Sequence, residues 1–314
     1  MPIADMVKPR IGPSQIRALL KDHFGRLAER LAPIGTGQIS STFSFSVTGK
    51  DYIVRFNTGK MPMAFGKDQL IAERLASSSV PVPPILHRGT FEGLLFAVSL
   101  KYPGVPLDEL DSEEYRQVVP ALIEPLDAIH RTDISDTKNY GPFDDRGVGQ
   151  FPSWTDYLLD VANEESDDGF YGKWHWMFDE TFVERDLFDH VYEQMSSLLR
   201  YCPEERYLVH ADYAFGNVLA ADGKITAVLD WANAMYGDFL YDVAWLDIGY
   251  PDADYRSLFE RYYMDRGRSV PHYAARLVCY QCYICLDSMR WYGKSGKLSD
   301  YEWMRGRILK ILGQ

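Results

Sequence analysis

The residue pattern calls for an α+β architecture in two parts: a small antiparallel sheet with one helix between its strands, then a larger, mostly helical region. Three observations carry that expectation. β-Branched and aromatic runs fill the first hundred residues, "KYPGVPL" at 101–107 breaks the pattern with two prolines and a glycine, and helical periodicity dominates from residue 112 onward. The 314 residues are enough for two packed lobes. The expected division is an N-terminal lobe over 1–100, a linker over 101–107 and a C-terminal lobe over 108–314.

The elements follow in order. Pro13 to Leu31 repeats apolar residues at helical spacing and reads as a first helix. The later part of "PIGTGQISSTFSFSV" and "KDYIVRFN" read as two antiparallel strands turning near Thr48–Gly49. Lys67 to Ser79 is a helix that stops before "VPVPP". "ILHRG" and "LLFAVSL" are short strands. Beyond the linker, helices are expected over 112–131, 154–163, 181–200, 239–248, 253–266, 272–292 and 299–312, with Pro120 and Pro125 kinking the first. The exception is 207–230, where "YLVH", "NVLA" and "ITAVLD" read as short strands and "ADGK" has the composition of a hairpin turn.

Apolar residues make up 46% and charged residues 25%, an ordinary globular balance. No apolar run approaches the roughly 20 residues that span a bilayer, and "MPIADMVKPR" has no apolar signal region. A cytoplasmic monomer with no membrane partner is therefore expected. The net charge of −12 is unevenly spread: residues 1–100 carry 12 basic and 7 acidic side chains, the remainder 21 and 38. A basic first third suits a polyphosphate, whereas the acidic remainder suits a small cationic substrate and repels nucleic acid. Cys279, Cys282 and Cys285 in "CYQCYIC" have metal-like spacing, but a fourth ligand is missing nearby and Cys202 is distant. The flanking apolar pattern makes them core thiols on one helix face.

Three local features carry chemistry. In "GTGQISS", Gly35 and Gly37 let backbone N–H groups approach phosphate oxygens, with Ser40 and Ser41 closing the same turn. Arg55 sits on a strand where an inward cation can grip phosphates, and Glu73 on the following helix is positioned in sequence to pair with it. In "HADYAFGN" and "LDW", Asn217 and Asp230 lie thirteen positions apart, on either side of the "ADGK" turn. A hairpin there brings both to one point, where amide and carboxylate oxygens suit Mg²⁺. Asp212 lies just before, free to face a substrate hydroxyl.

These segments resemble the aminoglycoside phosphotransferase family, which shares the protein-kinase-like fold. "HADYAFGN" matches that family's catalytic loop, and "VLDWANAMYGDFLYDVAWL" its metal-binding segment with Gly237, Asp238 and Asp242. "YGPFDDRGVGQFPSW" and "GKITAVLDWANAMYGD" look most like the members that phosphorylate hygromycin B. The similarity runs from Gly35 to Leu246. It implies Asp212 as the residue that orients or deprotonates an acceptor hydroxyl. It also implies Asn217 and Asp230 as Mg²⁺ ligands, ATP (GTP not excluded) as donor, and backbone groups of Leu100 and Tyr102 against adenine in the hinge "KYPGVPL". His210, Asp238 and Asp242 would brace the loop. Residues 1–100 would then be the nucleotide-binding lobe. Polycationic acceptors would be met by carboxylates in "DSEE", "NEESDD" or at Asp247, and aromatics in "YGKWHWMF" are candidates for a sugar pocket. Two departures stand out. Arg55 replaces the Lys that many members carry, with Lys67 near enough to share its task, and Trp231 follows Asp230 where protein kinases carry Phe-Gly. The chain also lacks an Ala-Pro-Glu segment, which argues against a protein substrate. Two alternatives stay open: a kinase of another small alcohol of choline, homoserine or macrolide type, and a nucleotide-binding module without activity.

Overall fold

The computed structural model describes residues 8–35, 40–58, 64–164 and 172–313. Helix α1 (Pro13–Phe24) starts with proline in its first turn and ends at Gly25, whose φ of 66° lets its N–H bond Lys21 O. The helix therefore stops at Phe24 and not at Leu31, and residues beyond the cap form strand β1 (Glu29–Ile34). With β2 (Ser41–Val47), β3 (Lys50–Thr58), β4 (Ile85–Phe91) and β5 (Leu94–Leu100) it makes an antiparallel sheet in the order β1-β2-β3-β5-β4. The β2–β3 turn places Thr48 and Gly49 at φ 49° and 79°, the positive pair that a type I′ hairpin requires.

One sheet face packs on α1. Phe45, Tyr52, Val54, Phe56, Phe96 and Val98 meet Ile16, Leu19 and Leu20 in a separate small core. Strand alternation then turns Ile53, Arg55 and Asn57 to the opposite face. Helix α2 (Ala64–Arg74) lies between β3 and β4 in sequence, yet Ile71 and the following Leu75 belong to the larger core of the C-terminal part. The inter-strand helix thus ties the sheet to the rest of the molecule.

The linker does more than connect. Val105–Pro106 forms β6, which pairs with β10 (Val218–Ala221), itself in a hairpin with β11 (Lys224–Val228). Gly104 sits at φ 125°, and a Cβ there would lie 2.4 Å from Thr226 Oγ1, so the close approach of linker to hairpin needs glycine. A second small sheet runs β8 (Gly149–Phe151), β7 (Tyr140–Phe143), β12 (Met235–Gly237), β9 (Tyr207–Val209). Of these four, only β9 is expected from sequence, where it opens the apolar run "YLVH"; β7, β8 and β12 are short and rich in glycine, with Gly141, Gly149 and Gly237.

The remaining helices are α3 (Ser112–Val118), α4 (Ile123–His130), α5 (Trp154–Leu159), α6 (Met177–Glu180), α7 (Arg185–Leu198), α8 (Leu240–Gly249), α9 (Tyr255–Asp265), α10 (Tyr273–Ser295) and α11 (Leu298–Ile311). Pro120 breaks the expected 112–131 helix into α3 and α4, while Pro125 falls in the first turn of α4, where a missing N–H is tolerated. Helix α10 runs through the large core, and Cys279, Cys282 and Cys285 are buried on it. Among the described residues no three His, Cys, Asp or Glu side chains form a metal cage, and no helix is long and apolar enough to cross a membrane.

Candidate active site

Strand β9 delivers the chain into the 210–217 loop, and a buried carboxylate holds that loop in place. Asp242, in the first turn of α8, is fully buried. Its oxygens accept the His210 N–H at 3.0 Å and the Ala211 N–H at 2.7 Å, and His130 Nε2 bonds the same group at 2.9 Å. Three partners satisfy a charge that burial alone would penalise heavily. Asp238 pins α8 from the other side. It accepts the Leu240 N–H, a double bond set from Arg276 at 2.6 and 2.8 Å, and the Tyr280 hydroxyl, tying α8 to α10. Asp242 thus braces the loop, as expected, whereas Asp238 fixes the start of α8.

His210 is structural. Its Nδ1 accepts the Asp212 N–H at 3.3 Å, so Nε2 carries the proton and donates to Leu229 O at 3.0 Å. Burial holds its pKa below the usual histidine value, which keeps the ring neutral.

Asp212 is half-buried beside this ring. Its Oδ2 accepts from Asn233 Nδ2 at 3.4 Å, and its peptide oxygen from Asn217 Nδ2 at 3.1 Å. Burial first, and the Asp230 carboxylate second, push its pKa up to about 7; the amides of Asn217 and Asn233 oppose the shift. A carboxylate poised there can take a proton at neutral pH.

The β10–β11 hairpin brings Asn217 and Asp230 to one end. Val218 faces Val228 in the register, and Leu229 N–H donates to Asn217 O at 2.8 Å. Asp222 and Gly223 at the far turn have φ 51° and 71°, which confirms the hairpin at "ADGK". Asp230 follows at φ 56° with its carboxylate exposed. One amide oxygen and one carboxylate oxygen are hard donors, and two protein ligands completed by phosphate and water are how Mg²⁺ is commonly held. The donor set fits that ion.

Facing this end, Arg55 forms an ion pair with Asp68 on α2 and not with Glu73. Glu73 lies five positions further along α2, is exposed, and accepts from Gln69 at 2.6 Å; helical rotation turns it away from β3. Burial works against the Arg55 charge, but Asp68 and then Asp230 outweigh it and raise its pKa. Asp68 also accepts the Trp231 N–H at 3.1 Å. Lys67, expected near enough to share Arg55's task, is engaged elsewhere. It is buried, its Nζ donates to Ala232 O and Ala234 O at 2.9 Å each, and it lies 4.6 Å from the Phe143 ring centroid. Burial, only partly offset by Asp68, lowers its pKa to about 8.

Other expected residues divide. Gly35 is exposed with open space where a Cβ would be; Gly37 lies outside the described residues. Ser40 Oγ accepts from Asn57 Nδ2 at 3.4 Å, on the Arg55 side of β3. Ser41 needs correction: it pairs with Phe56, shares the α1 face with it, and donates its hydroxyl to Pro9 O at 2.6 Å. Its side chain is on the face away from Arg55. Leu100 ends β5 and Tyr102 is half-buried in the linker. Of the acidic candidates, Asp111 and Glu114 form the capping box of α3, and Asp247 accepts from Gln281 at 2.7 Å; residues 165–168 lie outside the described residues. Trp174 is fully buried core, whereas Trp176 is exposed. Sequence reasoning missed Asp68 and Asn233: Asp68 lies outside every motif, Asn233 is a variable position within the Asp230 segment, and the Trp231–Asp68 and Asn233–Asp212 contacts span 163 and 21 residues.

The fold and this constellation define a phosphotransferase. Residues 30–276 match the phosphotransferase enzyme family model, and the chain belongs to that family. It is 32% identical over 311 residues to hygromycin-B 4-O-kinase of Escherichia coli, covering 98% of this chain and 87% of that protein. It is also similar to a crystal structure of a thermostable mutant of aminoglycoside phosphotransferase APH(4)-Ia, a ternary complex with AMP-PNP and hygromycin B. There the TM-score is 0.81 at 31% identity, over 95% of this chain and 97% of that one. Spectinomycin phosphotransferase APH(9)-Ia shares the fold at 13% identity and TM-score 0.65, over 96% and 98% of the two chains.

Proposed function

We propose that this protein transfers the γ-phosphoryl group of ATP to a hydroxyl of an aminoglycoside-type antibiotic, and that its acceptor is of the hygromycin B kind. The observation that carries this reading is the meeting of Asn217 and Asp230 at one hairpin end, with Asp212 beside them and Arg55 opposite. Phosphoryl transfer asks the protein mainly for positioning and charge neutralisation. Asp212 orients the acceptor hydroxyl and takes its proton. Arg55, fixed by Asp68, grips phosphate oxygens with a permanent charge. Asn217 and Asp230 would hold Mg²⁺, which neutralises the phosphate oxygens when bound. The sheet with α1 forms the nucleotide lobe, residues 101–107 form the hinge, and the Leu100 and Tyr102 backbone meets the adenine. One chain supplies every group, which supports a monomer as the working unit.

The acceptor class rests on the similarity to the hygromycin kinase and on the acidic character of residues 101–314, which suits a polycation. The test is phosphate transfer from ATP with Mg²⁺ across hygromycin B, other aminoglycosides, a macrolide, choline and homoserine. Turnover of hygromycin B, lost in Asp212→Ala while ATP binding persists, is expected. Turnover of a metabolite alone would overturn the antibiotic reading, and an unchanged rate in Asp212→Ala would remove that residue from the chemistry.

A further inference from the structure

A short turn between Asp230 and β12 is fastened more firmly than its exposure suggests. The Trp231 N–H is held by Asp68, the Ala234 N–H closes back on Trp231 O at 3.0 Å, and the carbonyls of Ala232 and Ala234 both accept from Lys67 at 2.9 Å. A single buried ammonium therefore pins the backbone on both sides of residue 233. That residue, Asn233, is exposed to solvent, and its amide nitrogen lies 3.4 Å from the Asp212 carboxylate. Two helix α2 side chains thus hold rigid a turn whose outward residue points at Asp212.

We infer that Asn233 is the positioning residue for Asp212: presented by the Lys67 clasp, its amide donor holds the carboxylate in the rotamer that meets the acceptor hydroxyl. This rests on the reading of Asp212 given under Proposed function. The chemistry requires a donor at this point. A lone carboxylate at the end of a short side chain is free to turn about its last torsion, and an N–H donor fixes it at no cost in charge. The 3.4 Å separation is long for a bond to a carboxylate, and such bonds often tighten only when substrates fill the site. Asn also explains the residue type: Asp at 233 would lack the donor and set a second like charge beside the Asp212–Asp230 pair.

The test compares Asn233→Ala and Asn233→Asp with the unaltered protein, in the native and Asp212→Asn backgrounds, measuring kcat and both KM values by varying ATP and acceptor in turn, each with the other and Mg²⁺ saturating. Loss of a single bond to a charged group predicts a kcat about ten- to a hundredfold lower in Asn233→Ala, with KM values within about twofold. Asn233→Asp, although nearly isosteric, is expected to fall further. In the Asp212→Asn background neither change should cost more, since the partner is already altered. Melting temperatures check that the exposed substitutions leave the fold intact. Native kcat in Asn233→Ala, an Asn233→Asp variant as active as the native protein, or an equal loss in both backgrounds would overturn the inference. If the residual turnover of Asp212→Asn is too small to compare, the first two outcomes decide. A fully active Asp212→Asn would instead bring down the underlying reading of Asp212, which keeps the two failures distinct.

Discussion

Replacing Asp212 by Asn should stabilise the unliganded protein while abolishing transfer. The carboxylate is held at a pKa of about 7, against the ordinary aspartate value of 3.8, chiefly by burial and then by Asp230. Its folded pKa is raised, so the native state keeps the proton to higher pH than the unfolded chain does. Stability from this group is complete below about pH 4, falls as pH rises towards 7, and is flat above. A shift of about three units at ~1.4 kcal/mol each sets a ceiling of about 4 kcal/mol. The side chain is only half-buried, so water screens part of this and about 1–2 kcal/mol is the working figure. Asn carries no charge and lacks this term. Denaturant unfolding of both proteins from pH 4 to 8 should show curves that coincide at pH 4, separate through pH 5–7, and stay about 1–2 kcal/mol apart at pH 8. Equal stabilities at pH 8, or a gap already complete at pH 4, would refute the view that the site stores electrostatic strain. Such strain is the usual cost of burying a carboxylate beside a second one.

Two further outcomes follow from the same network. Asp242→Ala strands the His210 and Ala211 N–H groups and His130 in a dry interior, and a loss of about 3–5 kcal/mol in urea unfolding is expected; a loss below about 1 kcal/mol would mean the loop is held elsewhere. Lys67 has a folded pKa lowered to about 8, so the native state sheds its proton before the unfolded chain does and stability from this group rises between about pH 8 and 10.5. Lys67→Met should lose that rise, and a variant whose stability climbs as steeply as the native protein's through that window would show that the buried ammonium is not its source.

The β2–β3 and β10–β11 hairpins, the break at 101–107 and most helices were legible in the sequence because their signals are local. Alternating, β-branched and aromatic residues mark β2 and β3, an apolar run marks β5, Gly49 and Asp222-Gly223 mark the two turns, and Pro120 marks the division of α3 from α4. The placement of Asn217 with Asp230 was legible for the same reason: a tight turn fixes which residues oppose each other across it. Where a local signal was read too far, a single residue decided the matter, as Gly25 did in ending α1 before Leu31. Choosing Asp68 over Glu73 as the Arg55 partner was beyond the sequence. Both lie on α2, and which one faces β3 depends on how the helix docks, which the larger core settles through Ile71 and Leu75. Likewise Lys67 became a clasp on Ala232 and Ala234, and Asn233 came to face Asp212, through contacts 165, 167 and 21 residues apart. Periodicity and turn chemistry act over a few residues, so they set the elements and the hairpin that brings Asn217 and Asp230 together. Contacts between distant segments arise only when hydrophobic burial chooses one packing of those elements, and that choice decided which side chains hold the site in shape.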